Sequence, residues 1–231
     1  MKAEYVFEYV RDMILDFFYP PRCPICERYI ENRSDILCEE CAENILDINY
    51  CSYDSSLPLK EIWRLTKYKG GTQRIIWDIK FNKKMGELPA INKILQNVLS
   101  SNIKLKAMLK EIDIATAVPL HINREQERGF NQVEVFFGEW LNQQNIPMER
   151  LLLRDRYTDH LYDKNREERK KEVGGAFSII EGAEIKIKGK KILLLDDIFT
   201  TGTTIGECAK VLNSNGAAEI YGIALASDYH I

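Results

Sequence analysis

The sequence predicts an α/β protein, a mainly parallel sheet with flanking helices, preceded by a small four-cysteine module. Three observations carry this reading. The run "KILLLDD" (191–197) is apolar without polar alternation, the signature of a strand buried on both faces. Runs of this kind alternate with stretches whose apolar residues recur at helical spacing. Four of the six cysteines stand in two Cys-x-x-Cys pairs near the N-terminus.

The elements follow in order. Residues 4–18 place Val6, Val10, Met13, Ile14 and Phe17 on one helical face, and Pro20-Pro21 ends the helix. Its polar face is mixed and slightly acidic, which favours packing on the protein over a membrane surface. Residues 21–55 form the cysteine module, and "SYDSSLP" (52–58) reads as a linker. The expected divisions are 1–20, 21–55 and 56–231. Helices are expected over 71–82 (Ile75, Ile76, Ile79 inward) and 89–100 (Ile91, Ile94, Leu95, Val98). "IDIATAVPL" (112–120) reads as a buried strand. Val133, Phe136, Phe137, Trp140 and Leu141 mark a helix. Leu151–Leu153, Ala176–Ile180, 191–197 and "EIYGIALA" (219–226) are further strands. Before the last of these, Ile205, Cys208, Val211 and Leu212 face inward on a helix closed by Asn215-Gly216.

Composition bounds the function. At 231 residues, 45% hydrophobic and 29% charged, the chain holds one sizeable core and a small module. Its net charge of −3 advertises no global nucleic-acid-binding field, so any such surface is local. No apolar run reaches the roughly 18 residues of a membrane span, and the N-terminus reads without the basic region, apolar core and small-residue cleavage site of a signal peptide. The expected location is cytoplasmic, where six cysteines argue for metal or chemistry rather than disulfides. Cys23, Cys26, Cys38 and Cys41 form two knuckles eleven residues apart, the spacing of a closed tetrahedral Zn²⁺ site. A redox pair would not need the second copy. Cys208 reads as a small core residue, and Cys51 has no assignment.

The motif with most chemistry is "LLLDDIFTTGTT" (193–204). Two carboxylates end a buried strand, and Thr200, Thr201, Gly202, Thr203 and Thr204 then turn into a helix. Free N–H groups and the helix dipole at such a turn favour a phosphate. Asp196 and Asp197 suit ribose hydroxyls, so a sugar phosphate satisfies both halves. A Walker B strand is the rival, but no Gly-x-x-x-x-Gly-Lys-Ser/Thr loop accompanies it. A second feature is the charged stretch between Arg154 and Gly175, rich in bases from Arg154 and Arg156 to Lys170 and Lys171. A polar excursion of that length reads as a lid or binding loop.

This motif resembles the phosphoribosyl pyrophosphate (PRPP) signature of type I phosphoribosyltransferases. With "CPIC…CEEC", "YKGGTQRIIWDIKF", "AVPLHINREQERGFNQ", "RDRYT" and "EERKKEVGGAF", the chain resembles the ComF family, associated with DNA uptake in natural competence. The resemblance implies that Pro119, Leu120 and His121 shape a pyrophosphate loop and that Arg124 and Arg128 contact the leaving group or an acceptor. It further implies Mg²⁺ bound with PRPP, Asp196 and Asp197 as the catalytic pair, and the stretch after Arg154 as a hood. His121 is equally a general base or a structural histidine. Relatives commonly carry a further cysteine pair, of which only Cys51 remains here. His160 and Glu172 also depart from the family pattern. Two functions stay open: a phosphoribosyltransferase, or a non-catalytic protein that handles single-stranded DNA and keeps the PRPP fold as a sensor or relic site.

Overall fold

The computed structural model describes residues 18, 20–30, 35–156 and 174–228. The N-terminal helix expected over 4–18 lies, except for Phe18, outside the described residues, as does the hood beyond Arg156. In chain order the elements are α1 (Glu39–Asn44), β1 (Leu46–Tyr50), β2 (Glu61–Lys67), α2 (Gly70–Asn82), α3 (Leu88–Ser101), α4 (Ile103–Leu109) and β3 (Ile114–Ala117). There follow α5 (Ile122–Arg128), α6 (Gln132–Gln143), β4 (Leu152–Arg154), β5 (Phe177–Ile179), α7 (Glu184–Ile187), β6 (Lys191–Phe199), α8 (Thr203–Ser214) and β7 (Glu219–Ser227).

Five strands form one sheet in the order β1-β2-β7-β6-β3. β2, β7, β6 and β3 run parallel, and β1 closes one edge antiparallel to β2. Alternate residues of the central strands face opposite layers. Leu193, Leu195, Tyr221 and Ile223 pack with the apolar stripes of α2, α3 and α6, while Ile192, Leu194 and Ala224 pack with Ile205, Cys208 and Leu212 of α8. Burial on both faces explains why β6 shows no polar alternation. Cys208 is a fully buried core residue, and Cys51 joins the same layer.

Two strands, β1 and β2, carry no such sequence signal. β2 reads "EIWRLTK", yet Arg64 and Thr66 are buried inside it. Asp47 of β1 holds the Arg64 guanidinium at 2.9 Å, and the Thr66 hydroxyl donates to Leu225 O at 2.7 Å. Paired polar groups can be buried, and they erase the periodicity on which strand recognition rests. The stretch 52–58, read as a linker, is anchored at two of its residues while Ser52, Asp54, Ser55 and Ser56 stay exposed. Tyr53 Oη donates to Leu59 O at 2.8 Å, and Leu57 lies over the start of α8.

The cysteine knuckle docks on the first turn of α2. A Cβ at Gly71 would fall 2.2 Å from Ile25 O and 2.5 Å from Ile25 Cα, so only glycine admits this approach. Arg74, one turn on, donates to Pro24 O and pairs with Glu27. Cys23, Ile30 and Leu37 sit in the same core layer as α2 and α3.

Gly71→Ala should therefore destabilise the protein by about 1–3 kcal/mol, because the obstacle is backbone and cannot swing away. Gly86→Ala is the control, since nothing lies within 4 Å of a Cβ there. Thermal unfolding of both variants checks this, and equal melting points would remove the docking argument.

Candidate functional site

β6 ends in a cleft of about 480 Å³ at the carboxyl edge of the parallel strands. An open α/β sheet presents its ligands at this edge. Asp196 and Asp197 form its floor, and Pro119 and Leu120 form one wall. Helix α2 contributes Lys80, whose Nζ lies 2.6 Å from Asp197 Oδ2, both side chains being buried. Gln132, the first residue of α6, donates from Nε2 to the same oxygen at 2.5 Å and accepts from Arg128. Asn131 fixes the start of that helix. Its Nδ2 donates to Val118 O at 3.0 Å, and its Oδ1 accepts from Val133 N at 3.0 Å.

Asp197 is thus held by two partners, whereas Asp196 has the backbone N–H of Asp197 at 2.9 Å. Burial and the neighbouring Asp197 charge push the Asp196 carboxyl up to about 8, against a smaller opposing pull from Lys80. Arg154 is shifted the other way. Burial and the adjacent Arg124 both disfavour its charged form. Two crowded guanidiniums at a cleft wall are a setting that an anion relieves.

Five cations line the cleft (Lys80, Lys83, Arg124, Arg128, Arg154) against three carboxylates (Glu127, Asp196, Asp197). This local excess of positive charge belongs to a chain whose net charge is −3. Lys83 ends α2 in the left-handed conformation, φ 53°, and so turns into the cleft.

The threonine loop divides. Thr200 and Thr204 line the main cleft, but Thr201, Gly202 and Thr203 face a smaller hollow beside Leu57 and Lys210. Thr201 and Thr203 share a hydroxyl hydrogen bond of 2.8 Å. Gly202 caps α8 at φ 74°, and a Cβ there would sit 3.0 Å from the Phe199 ring. His121 lies outside the cleft lining. It caps α5, its Nδ1 accepting the Asn123 N–H at 3.2 Å, and its backbone bridges to Arg154. The structural role of His121 is thereby visible. β4 and β5, which flank the expected hood, form an antiparallel pair with Arg154 opposite Phe177.

Sequence reasoning missed Lys80, Lys83 and Gln132 as cleft residues, and named Arg154 only as a base of the expected hood. The signal for Lys80 was available. It stands directly after Ile79 on the inward side of α2, where a lysine needs a buried partner.

The four cysteine thiols lie within 4.8 Å of one another, with Cys26 and Cys38 Sγ 3.5 Å apart. Zn–S bonds of about 2.3 Å in a tetrahedron place sulfurs about 3.8 Å apart, so the donor set fits one Zn²⁺. Burial raises the Cys26 thiol, but hydrogen bonds from Arg28 and from its cysteine neighbours outweigh this and bring it to about 6.

Comparisons with known proteins agree with this architecture. Residues 14–55 match the double zinc ribbon domain, and residues 135–229 match the phosphoribosyl transferase domain. The DNA utilization protein YhgH of Salmonella typhimurium is 27% identical over 86% of both chains. Competence protein F of Haemophilus influenzae is 24% identical over 90% of this chain and 99% of its own. Competence protein ComFC of Streptococcus pneumoniae is 33% identical over 58% of this chain and 56% of its own. The protein is thus a phosphoribosyltransferase-type α/β domain joined to a four-cysteine zinc ribbon. These relatives, together with the phosphoribosyl transferase domain, make the chain similar to the ComF family.

Elemental analysis should find about one zinc per chain at the four-thiolate site, and Cys38→Ser should lose it. Full zinc retention in that variant would refute the assignment. The Asp196 shift makes a separate prediction. Because the folded-state value is raised, the native protein keeps a proton that the unfolded chain has released between about pH 4 and pH 8. This contribution to stability is complete below pH 4 and is lost as pH rises towards 8. Asp196→Asn lacks that loss, so its ligand-free stability relative to wild type should increase from pH 5 to pH 8. Urea unfolding at both pH values measures the difference, and a pH-independent difference would contradict the burial argument.

Proposed function

We propose that the cleft binds PRPP and that the protein transfers its phosphoribosyl group within a cytoplasmic DNA-uptake system. The observation that supports this most is the excess of cations around an Asp-Asp strand end that runs directly into a helix N-terminus. PRPP has the matching parts: two vicinal hydroxyls, a 5′-phosphate and a pyrophosphate. Asp196 and Asp197 accept from the ribose hydroxyls. Thr200, Thr204 and the first N–H groups of α8 take the 5′-phosphate, while Thr201, Gly202 and Thr203 hold the loop in shape. Arg124, Arg128 and Arg154 meet the pyrophosphate beside the wall of Pro119 and Leu120, and His121 steadies that wall.

The paired carboxylates favour positive charge developing on the ribose ring as the bond from C1 to pyrophosphate lengthens. Lys80 and Gln132 fix Asp197 so that its free oxygen is aimed before substrate arrives. Mg²⁺ would supply charge neutralisation at the pyrophosphate. The described residues offer no cluster of three or more oxygen ligands, which fits an ion held mainly by ligand and water oxygens. The names of the relatives, DNA utilization protein and competence protein, support the placement in DNA uptake. Those same names support a second reading, a non-catalytic protein that senses PRPP and handles single strands. Pyrophosphate release from PRPP in the presence of an acceptor favours the first, and salt-dependent single-strand binding without turnover favours the second. Six cysteines in reduced form suit the cytoplasm.

PRPP with Mg²⁺ should raise the melting point by about 5–10 °C at a hundredfold excess over Kd. Asp196→Asn, Asp197→Asn and Gly202→Val should each reduce that shift. The shift should be larger at pH 8 than at pH 6, because hydroxyl donors favour ionised Asp196 and the ligand-free carboxyl must first release its proton. A wild-type protein indifferent to PRPP and Mg²⁺ would remove this function while leaving the fold intact.

A further inference from the structure

Helix α2 carries two aromatic side chains that the core does not use. Trp77 and Phe81, four residues apart on one face, are 50% and 44% exposed. The other two tryptophans, Trp63 and Trp140, are each only 2% exposed. The Trp77 and Phe81 rings lie 4.3 Å apart between centroids, and the Arg128 guanidinium stands 5.5 Å from the Phe81 ring. Phe81 and Arg128 both line the cleft that holds Asp196 and Asp197. A ladder of flat groups thus leads from open solvent to the reaction centre.

Exposed rings at the mouth of a cationic cleft suit a ligand that is itself flat and aromatic. Stacking accepts any planar heterocycle, since each presents a π-face. One carboxylate of the cleft, Glu127, stands apart from the aspartate pair, on the same helix as Arg124 and Arg128. Its carboxylate can accept a ring N–H.

We propose that Trp77 and Phe81 form the acceptor subsite, seating a heterocycle of the nucleobase class beside the aspartate pair with Glu127 as its proton acceptor. This rests on the PRPP reading of the same cleft. In the reaction, a ring nitrogen forms the bond to C1 of the ribose. The bond from C1 to the pyrophosphate oxygen breaks, and its electron pair leaves with pyrophosphate. The ring N–H proton passes to the Glu127 carboxylate. The products are an N-ribosyl 5′-monophosphate and pyrophosphate, with no redox change.

The free base 2-aminopurine tests this, because its emission is quenched when it stacks and it is excited beyond tryptophan absorption. Wild-type protein should quench it saturably. Trp77→Ala and Phe81→Ala should weaken that binding by about fivefold to a hundredfold, and Trp77→Phe should retain most of it. Unchanged melting points without ligand verify that the variants fold. No quenching by wild type, or equal binding by both alanine variants, would overturn the proposal. Quenching by a 2-aminopurine-containing single strand but not by the free base would also overturn it and make the ladder a strand-handling surface. The PRPP-induced melting shift of the wild type is read separately. If it persists while quenching is absent, the acceptor subsite alone fails; if quenching occurs without it, the PRPP reading fails and the base seat stands.

Discussion

Two adjacent carboxylates at the end of a buried strand set the constraint that the rest of the site answers. In a low-dielectric floor both cannot carry charge without partners. Lys80 and Gln132 settle the question for Asp197, at 2.6 and 2.5 Å. Asp196, without a cation of its own at that distance, holds its proton to about pH 8. The asymmetry has a chemical consequence. One carboxylate is fixed by its partners, and the other keeps its proton up to about pH 8. A buried ion pair of this kind adds little net stability, but losing one partner would strand the other charge at about 3–5 kcal/mol. Its value lies in specifying geometry.

The Lys80 side chain reaches Asp197 only if α2 is held in place, and the zinc ribbon does part of that holding. Helix α2 begins where Gly71 touches the Ile25 backbone and where Arg74 grips Pro24 and Glu27. Lys80 follows six residues after Arg74 on the same helix. Cys23, Ile30 and Leu37 share a core layer with α2 and α3, so the ribbon rests on the domain rather than hanging from it. A four-cysteine segment of this length has little apolar content of its own. Metal binding and this shared layer together supply its folding energy.

Much of this was legible in the sequence where burial and periodicity coincide. β6 and β7 are apolar on both faces, and α6 repeats its large side chains at helical spacing, so each declared itself. β2 did not, because Arg64 and Thr66 are buried with partners that lie far away in sequence or in an edge strand. α5 did not, because "INREQER" buries none of its residues and owes its start to the His121 cap. The aspartates were legible as residues of the strand-end cleft from their motif alone. Lys80 was hidden because a helix stripe is read by its apolar members, and the informative residue was the cation next to them.

The threonine loop, expected as a single cradle, divides between two hollows in the structure. Five residues between strand and helix suggest five phosphate contacts. Gly202 instead adopts φ 74°, a left-handed conformation that a larger residue would resist, with the Phe199 ring filling the space of a Cβ. That turn sends Thr201 and Thr203 away from the cleft, where their hydroxyls bond to each other at 2.8 Å. Thr200 and Thr204 are left on the cleft side, and the first turn of a helix such as α8 leaves N–H groups without intrahelical acceptors. The hydroxyls therefore divide: one pair stiffens the loop, and the other lines the cleft. A loop stiffened in this way presents its donors without reorganising, which is the condition under which backbone N–H groups hold a phosphate tightly.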